Sequence, residues 1–227
     1  MIQELPIEEI IINYIFDEIF EKRFHPGMKL AESIFAQTFN TNRDTVRKAF
    51  SQLQSMGLVT YKKNQGFFLR WLTQQDTEDV YTARNIIEAG VITIITQKHT
   101  LGLIDLSSLK DEVETEKYLK ISLRNGEYVK TSCDFHLNLA LLSENDFLIN
   151  ALKPLIPLSI LAGLVYEDSN SCFCSYDEHN NLIQAIKSND IDYAKSIMNH
   201  HLHHCVEALD FTKEIQNKST IVNIRTA

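Results

Sequence analysis

Thr41-Asn42-Arg43-Asp44-Thr45-Val46-Arg47-Lys48-Ala49-Phe50 divides in two when it is read as a helix. Val46, Ala49, Phe50 and Leu53 fall at i, i+3, i+4 and i+7, a single apolar stripe. Arg43 and Arg47 are one turn apart, on a different and exposed face. Thr41 or Asn42 caps the start. An ordinary amphipathic surface helix has this pattern. So does a helix that presents arginine, asparagine and threonine to the major groove of DNA. The surrounding sequence decides between the two.

The formal net charge of −8 argues against a nucleic-acid partner only until it is divided along the chain. Residues 1–70 carry nine Lys/Arg against eight Asp/Glu, a net of +1, and residues 71–227 carry thirteen against twenty-two, a net of −9. Between Arg43 and Arg70 there are six basic residues and one acid, Asp44. The positive charge sits where the amphipathic stretch sits.

Outward from that stretch, Pro6 to Lys22 reads as a first helix with Ile7, Ile10, Ile11, Tyr14, Ile15 and Ile19 on its buried face. His25-Pro26-Gly27 breaks it. Leu30 to Phe39 reads as a second, short helix, and the third ends at Met56-Gly57 with glycine beyond its last turn. Leu58 to Tyr61 and Phe67 to Leu69 have strand character, joined by the basic tip Lys62-Lys63-Asn64-Gln65-Gly66. Three helices and a hairpin in about seventy residues predict a winged helix-turn-helix.

After a linker at 71–76 the pattern is helical almost throughout. Segments run Gln75 to Lys98, Asp105 to Asn125, Glu127 to Ser143, Asp146 to Tyr166, Tyr176 to Ser188 and Ile191 to Phe211. Six antiparallel helices with short loops predict an all-α bundle over 77–212, followed by a polar tail at 213–227. Its Ile221 and Val222 either add a strand or stay loose. The fold class is mainly α. Phe147 to Tyr166 is the most apolar run, but Asn150, Lys153, Pro154 and Pro157 interrupt it, so the expectation is a buried, kinked helix and no membrane. Cys133, Cys172, Cys174 and Cys205 form no C-x-x-C pair, and the N-terminus has no signal-peptide pattern, which predicts reduced thiols and a cytoplasmic location.

Three histidines of the bundle lie on apolar faces. His136 has Leu139 and Ala140 at i+3 and i+4; His179 precedes Leu182, Ile183 and Ile186; His201 shares a stripe with Ile197, Met198, Leu202 and Cys205. One such histidine alone is most often a satisfied core residue. Three facing inward from three helices describe a metal site, because bundle interiors are where such sites are built. His200, His203 and His204 fall at or beyond the edge of that stripe.

The motifs His25-Pro26-Gly27-Met28-Lys29-Leu30, Asn42-Arg43-Asp44-Thr45-Val46-Arg47-Lys48-Ala49-Phe50, Gly57-Leu58-Val59 and Asn64-Gln65-Gly66 resemble the DNA-binding domain of GntR-family bacterial transcription regulators. Asn42, Asp44 and Phe50 depart from the usual serine, threonine and leucine. By the resemblance Arg43, Thr45 and Arg47 contact bases or phosphates, and Gly66 lets the wing approach the minor groove. Lys48, Lys62 and Lys63 meet phosphates; without the resemblance they are a solvated charged face.

The run Asp134-Phe135-His136, with Ser143-Glu144-Asn145, Glu178-His179, Ala185-Ile186, Asp190, Ala194, Met198 and His201-Leu202, resembles the FCD effector domain of the FadR subfamily. Many such domains hold a metal by one aspartate and three histidines, which implies His136, His179 and His201 here. The aspartate's place, four residues before the first histidine, is Ser132, and Asp134 lies about 200° round the helix from the required face. The implied metal is a divalent ion, zinc or nickel, held by three imidazoles with water or an effector carboxylate, or else the pocket works without one. Tyr81-Thr82-Ala83-Arg84 with Glu88 resembles the family's opening helix, whose arginine enters the ligand pocket. Arg84 then clamps an effector carboxylate with Ser132 nearby, or else it pairs with Glu88 at i+4. Six helices resemble the shorter branch of the subfamily.

The expected function is a homodimeric, ligand-responsive regulator, a repressor, that binds a double-stranded DNA operator and senses a small organic acid. Two other readings remain: a metal-responsive regulator with the ion as effector, and a metal-dependent enzyme fused to a DNA-binding head. No Walker A, no G-x-G-x-x-G and no nucleophile–base set favours the enzyme, so none is expected.

Overall fold

The computed structural model describes residues 5–123, 125–166 and 176–212. The expected break at 167–174 and the tail at 213–227 lie outside the described residues.

The head comprises α1 (Ile7–Phe20), β1 (Lys29–Leu30), α2 (Glu32–Thr38), α3 (Arg43–Ser55), β2 (Val59–Lys62) and β3 (Gly66–Leu69). The apolar stripe of α3 behaves as its spacing requires. Val46, Ala49, Phe50 and Leu53 are completely buried, while Arg43 and Arg47 are exposed. Asn42 is the cap, its side chain accepting from the backbone N–H of Thr45 at 2.9 Å. The core is aromatic. Phe50 stands edge-on to Phe35 at 5.0 Å and to Phe67 at 5.3 Å, locking α3 to α2 and to the hairpin. Gly57 follows α3 with φ +79°, a left-handed residue past the helix end that ordinary side chains disfavour.

Three expectations for the head need correction. Leu30 does not begin the second helix: with Lys29 it forms β1, which pairs antiparallel with β3 (Lys29↔Phe68, Leu30↔Phe67) in a sheet of order β1-β3-β2. A two-residue strand is too short to leave a period in the sequence. The hairpin is also one residue longer, since Lys62 pairs with Gly66 and the tip is Lys63-Asn64-Gln65. Ile10 is 39% exposed rather than buried, because α1 packs on two sides and turns Ile12, Phe16 and Phe20 inward as well.

The body comprises α4 (Gln74–Thr100), α5 (Ser107–Ile121), α6 (Asn125–Leu141), α7 (Asp146–Leu152), α8 (Leu155–Tyr166), α9 (Tyr176–Lys187) and α10 (Ile191–Glu207). Among the described residues seven helices stand where the sequence pattern predicts six. The run Asp146–Tyr166 divides at Lys153-Pro154, because proline supplies no N–H and its ring clashes with the preceding turn. By length and composition that run passes for a membrane span, with a mean hydropathy of 1.8. Its α8 half is instead core, with Ile156, Leu158, Ile160, Leu161 and Ala162 buried. α4 is the axis of the body and packs against α6, α7, α8, α9 and α10. It starts at a capping box, Thr73 and Asp76 satisfying each other's backbone N–H.

Head and body share one hydrophobic core. α1 packs on α6 and α8, Lys130 of α6 pairs with Asp17 of α1, and Arg70 reaches Asp76 at 2.6 Å. Tyr166 donates to the carbonyl of Leu72 at 3.0 Å, tying α8 to the segment between β3 and α4. Of the helices that line the interior of the body, α6 and α8 therefore also touch the head.

Candidate functional sites

The first candidate site is the outer face of α3 with the hairpin tip. Arg43, Lys48, Lys62 and Lys63 are exposed, and Thr45 and Gly66 are half-buried. Gly66 takes φ +96°, so a side chain there is strained whatever the space around it. Lys62 extends over the Phe68 ring at 4.7 Å. Arg47 is 56% exposed but engaged: its Nη2 and Nε donate to the Glu32 carboxylate at 2.9 and 3.3 Å, and Asp44 stands 3.9 Å away. The hydrogen bond to Glu32, with that carboxylate's charge, holds the Arg47 guanidinium above its ordinary value. Glu32 has no signal in the local pattern; it lies fifteen residues away and meets Arg47 only because α2 crosses α3.

The second candidate site is inside the body. His136 on α6, His179 on α9 and His201 on α10 are 1%, 1% and 2% exposed, and their ligand nitrogens lie within 4.8 Å of one another. Each turns Nδ1 to a carboxylate of its own: His136 to Glu88 at 2.6 Å, His179 to Glu116 at 3.0 Å, and His201 to Glu178 at 2.8 Å. A carboxylate on Nδ1 selects the tautomer with its proton there, which leaves the lone pair on Nε2. Nε2 of His136 and Nε2 of His201 face each other at 3.3 Å. That spacing suits an atom bridged by both nitrogens, such as a bound cation. Phe135 stacks flat on His179, with centroids 4.0 Å apart, and fixes that ring.

Arg84 joins the network from α4. Its Nε donates to Glu88 Oε1 at 2.8 Å and its Nη1 to Ser159 of α8 at 3.2 Å. The i+4 pair with Glu88 thus forms, and it forms inside the protein. Among the described residues, Nη2 of Arg84 and Oγ of Ser132 are buried without a hydrogen-bond partner. Burial works against the Glu88 carboxylate, but Arg84 and His136 outweigh it and hold Glu88 down at about 2. Burial likewise opposes the Arg84 charge, and Glu88 outweighs it, so the guanidinium stays above its ordinary range. The hydrogen bond from His201 keeps Glu178 below the usual carboxylate value against partial burial.

The sequence pattern does not link Glu88, Glu116 and Glu178 to the histidines they orient. They stand 48, 63 and 23 residues from their histidines, a separation at which no helical spacing links them. One signal was available: glutamates at positions otherwise apolar, of which Glu88 and Glu116 are completely buried. Asp134 is on another face, as its spacing required. It lines a groove of about 390 Å³ with Asp17, Lys130 and Lys153, between α1 and the helices α6 and α8. Burial pushes its carboxyl up.

The donor set fits a divalent transition ion. Three imidazoles, each backed by a carboxylate, form the ligand shell that zinc and its neighbours take, and hard cations such as magnesium prefer all-oxygen shells. His136, His179 and His201 are the residues that would hold it. Bound there, it would supply a Lewis-acidic centre of positive charge beside Arg84 and Ser132.

Comparison with known proteins supports both halves. Residues 8–69 match the model of the bacterial regulatory proteins of the gntR family, and residues 79–204 match that of the FCD domain. The HTH-type transcriptional regulator YdhC of Bacillus subtilis strain 168 is 24% identical over 204 residues, covering 89% of this chain and 90% of its own. The HTH-type transcriptional regulator LutR of the same organism is 25% identical over 215 residues, covering 84% and 96%. Among solved structures, E. coli McbR/YncC superposes with a TM-score of 0.76 at 13% identity, covering 89% of this chain and 96% of that one, which shows the shared fold. A gntR-type winged head joined to an FCD body, with an outward arginine pair on one and a buried histidine cluster in the other, places this chain in the GntR family of transcriptional regulators, FadR subfamily.

Proposed function

We propose that the protein is a homodimeric, cytoplasmic repressor whose affinity for an operator is set by a small organic acid bound in the body, beside a divalent ion on His136, His179 and His201. Zinc and nickel are the ions that suit three imidazoles. The observation that carries the effector reading is two buried polar atoms that have no partner among the described residues, Arg84 Nη2 and Ser132 Oγ. Ser132 is one turn before His136 on α6, and Arg84 shares Glu88 with that same histidine. Leaving such atoms unsatisfied costs roughly 1–3 kcal/mol each, more for a charged group. A carboxylate that accepted from both would recover that energy, and it would complete the metal shell that Ser132 leaves short of an oxygen donor.

The route to the head is short. Ser159, which Arg84 grips, is on α8, and α8 packs on α1. α6 carries Ser132 and His136 on one side and Lys130, against Asp17 of α1, on the other. A ligand that prefers one setting of these helices shifts the head by that differential affinity and no more. Arg43, Thr45 and Arg47 read the operator. Lys48, Lys62 and Lys63 bind its backbone, and Gly66 enters beside it.

The test is selection of bound sequences from random DNA, followed by footprinting. Wild type is expected to protect a two-fold symmetric site and Arg47→Ala to protect none. The selected site is then titrated with 2- to 6-carbon carboxylic acids, in zinc-loaded and chelator-treated protein. Unchanged footprinting by Arg47→Ala would defeat the DNA assignment. DNA affinity that followed the metal alone, across every acid, would favour the ion itself as effector. That reading draws on the way one ion would join α6, α9 and α10.

A further inference from the structure

A second cluster of metal-ligating side chains stands outside the buried triad. His200 and His204 are one turn apart on α10 and both are exposed. Glu178 comes to them from α9. One ring nitrogen of each histidine and a carboxylate oxygen of Glu178 lie within 4.8 Å of one another. The His200 and His204 rings are 3.8 Å apart between centroids, and His204 Nδ1 sits 2.9 Å from Glu178 Oε1.

We infer that Glu178, His200 and His204 form a second, solvent-facing site for a divalent transition ion such as zinc, nickel or cobalt. Two histidines at i and i+4 on a helix present their rings side by side, and a carboxylate from the neighbouring helix closes the third corner. Metal–ligand bonds of about 2.1 Å at tetrahedral angles require donor atoms about 3.4 Å apart. Exposed side chains one rotamer step away reach that spacing without moving the backbone. Glu178 does not need to be recruited. Its Oε2 is already fixed by His201 Nδ1 at 2.8 Å, which directs Oε1 outward at the two exposed rings. The two imidazoles select against calcium and magnesium, and the remaining coordination positions open to water. Glu178 therefore belongs to both sites, orienting an inner ligand with one oxygen and offering the other to an outer ion.

The test is zinc stoichiometry by equilibrium dialysis of chelator-stripped protein, with cobalt(II) absorption as a second readout. It compares wild type, His200→Gln/His204→Gln and the control His203→Gln, whose side chain is exposed nearby but outside the cluster. Because both altered residues are on the surface, their melting temperature is expected to equal that of wild type. Wild type is expected to bind one ion per chain more than the double variant, and His203→Gln to behave as wild type. Loss of the only ion in the double variant would keep the outer site and overturn the inner one. Equal stoichiometry in wild type and double variant, or equal loss in His203→Gln, would overturn the proposal.

Discussion

In chelator-treated protein, Glu88→Gln removes one charge from a network that has no access to water. Glu88 is completely buried between Arg84 at 2.8 Å and His136 at 2.6 Å. A carboxylate held at about 2 instead of its ordinary 4.5 favours the native state by about 3 kcal/mol at neutral pH. Breaking one side of a buried ion pair independently suggests a loss of roughly 3–5 kcal/mol, since Arg84 is left buried without its counter-charge. The two figures agree in order of magnitude. For a chain of this size, a loss of about 3 kcal/mol lowers the melting temperature by about 6–12 °C. Because the folded value is depressed, the contribution is complete above the ordinary carboxylate range. It fades as pH falls from there toward 2. Thermal unfolding followed by circular dichroism, at pH 7 and in steps down to pH 4, measures both effects. The gap between wild type and variant is expected to be steady down to about pH 5 and to narrow below it. The double variant Glu88→Gln/Arg84→Met is expected to lose less than the sum of its single variants by about 0.5–3 kcal/mol, because the neutral pair leaves no buried charge. Superposable melts for Glu88→Gln and wild type at pH 7 would refute the reasoning.

Three further outcomes follow from the same contacts. Lys62→Ala/Lys63→Ala is expected to weaken DNA of any sequence alike and to flatten the salt dependence of log K by about 1.8, if each lysine neutralises one phosphate; fluorescence anisotropy between 50 and 200 mM salt measures it. Glu32→Gln releases Arg47 from its carboxylate, so binding is expected to tighten and the salt slope to steepen by about 0.9, measured on the same labelled duplex. Thr73→Ala removes the cap of α4 at about 1 kcal/mol, a fall in melting temperature of about 2–4 °C. Its partner Asp76 is held below its ordinary value: partial burial works the other way, and the backbone and hydroxyl hydrogen bonds of Thr73 and the charge of Arg70 outweigh it. This cap therefore stabilises above the usual carboxylate range and is lost as pH falls through it, so the gap between Thr73→Ala and wild type is expected to shrink in acid.

Much of this protein is decided by local chemistry and was legible without coordinates. The α3 stripe, its asparagine cap, the hairpin and the glycine after α3 are set by neighbours close along the chain, and period and turn chemistry report such neighbours directly. The inward histidines were legible for the same reason, each sharing a face with apolar residues one turn away. The division of Asp146–Tyr166 was announced by Pro154, but whether a proline bends a helix or ends it depends on what the two halves pack against. Only the tertiary structure produced two helices and the two-residue strand β1, which exists because β3 offers it an edge. It alone supplied the partners that give the site its chemistry: Glu88, Glu116 and Glu178 on the three histidines, Ser159 on Arg84, and Glu32 on Arg47. Charges and hydrogen bonds act over a few ångströms of space, and residues that are dozens of positions apart along the chain come within that range only after the helices have packed.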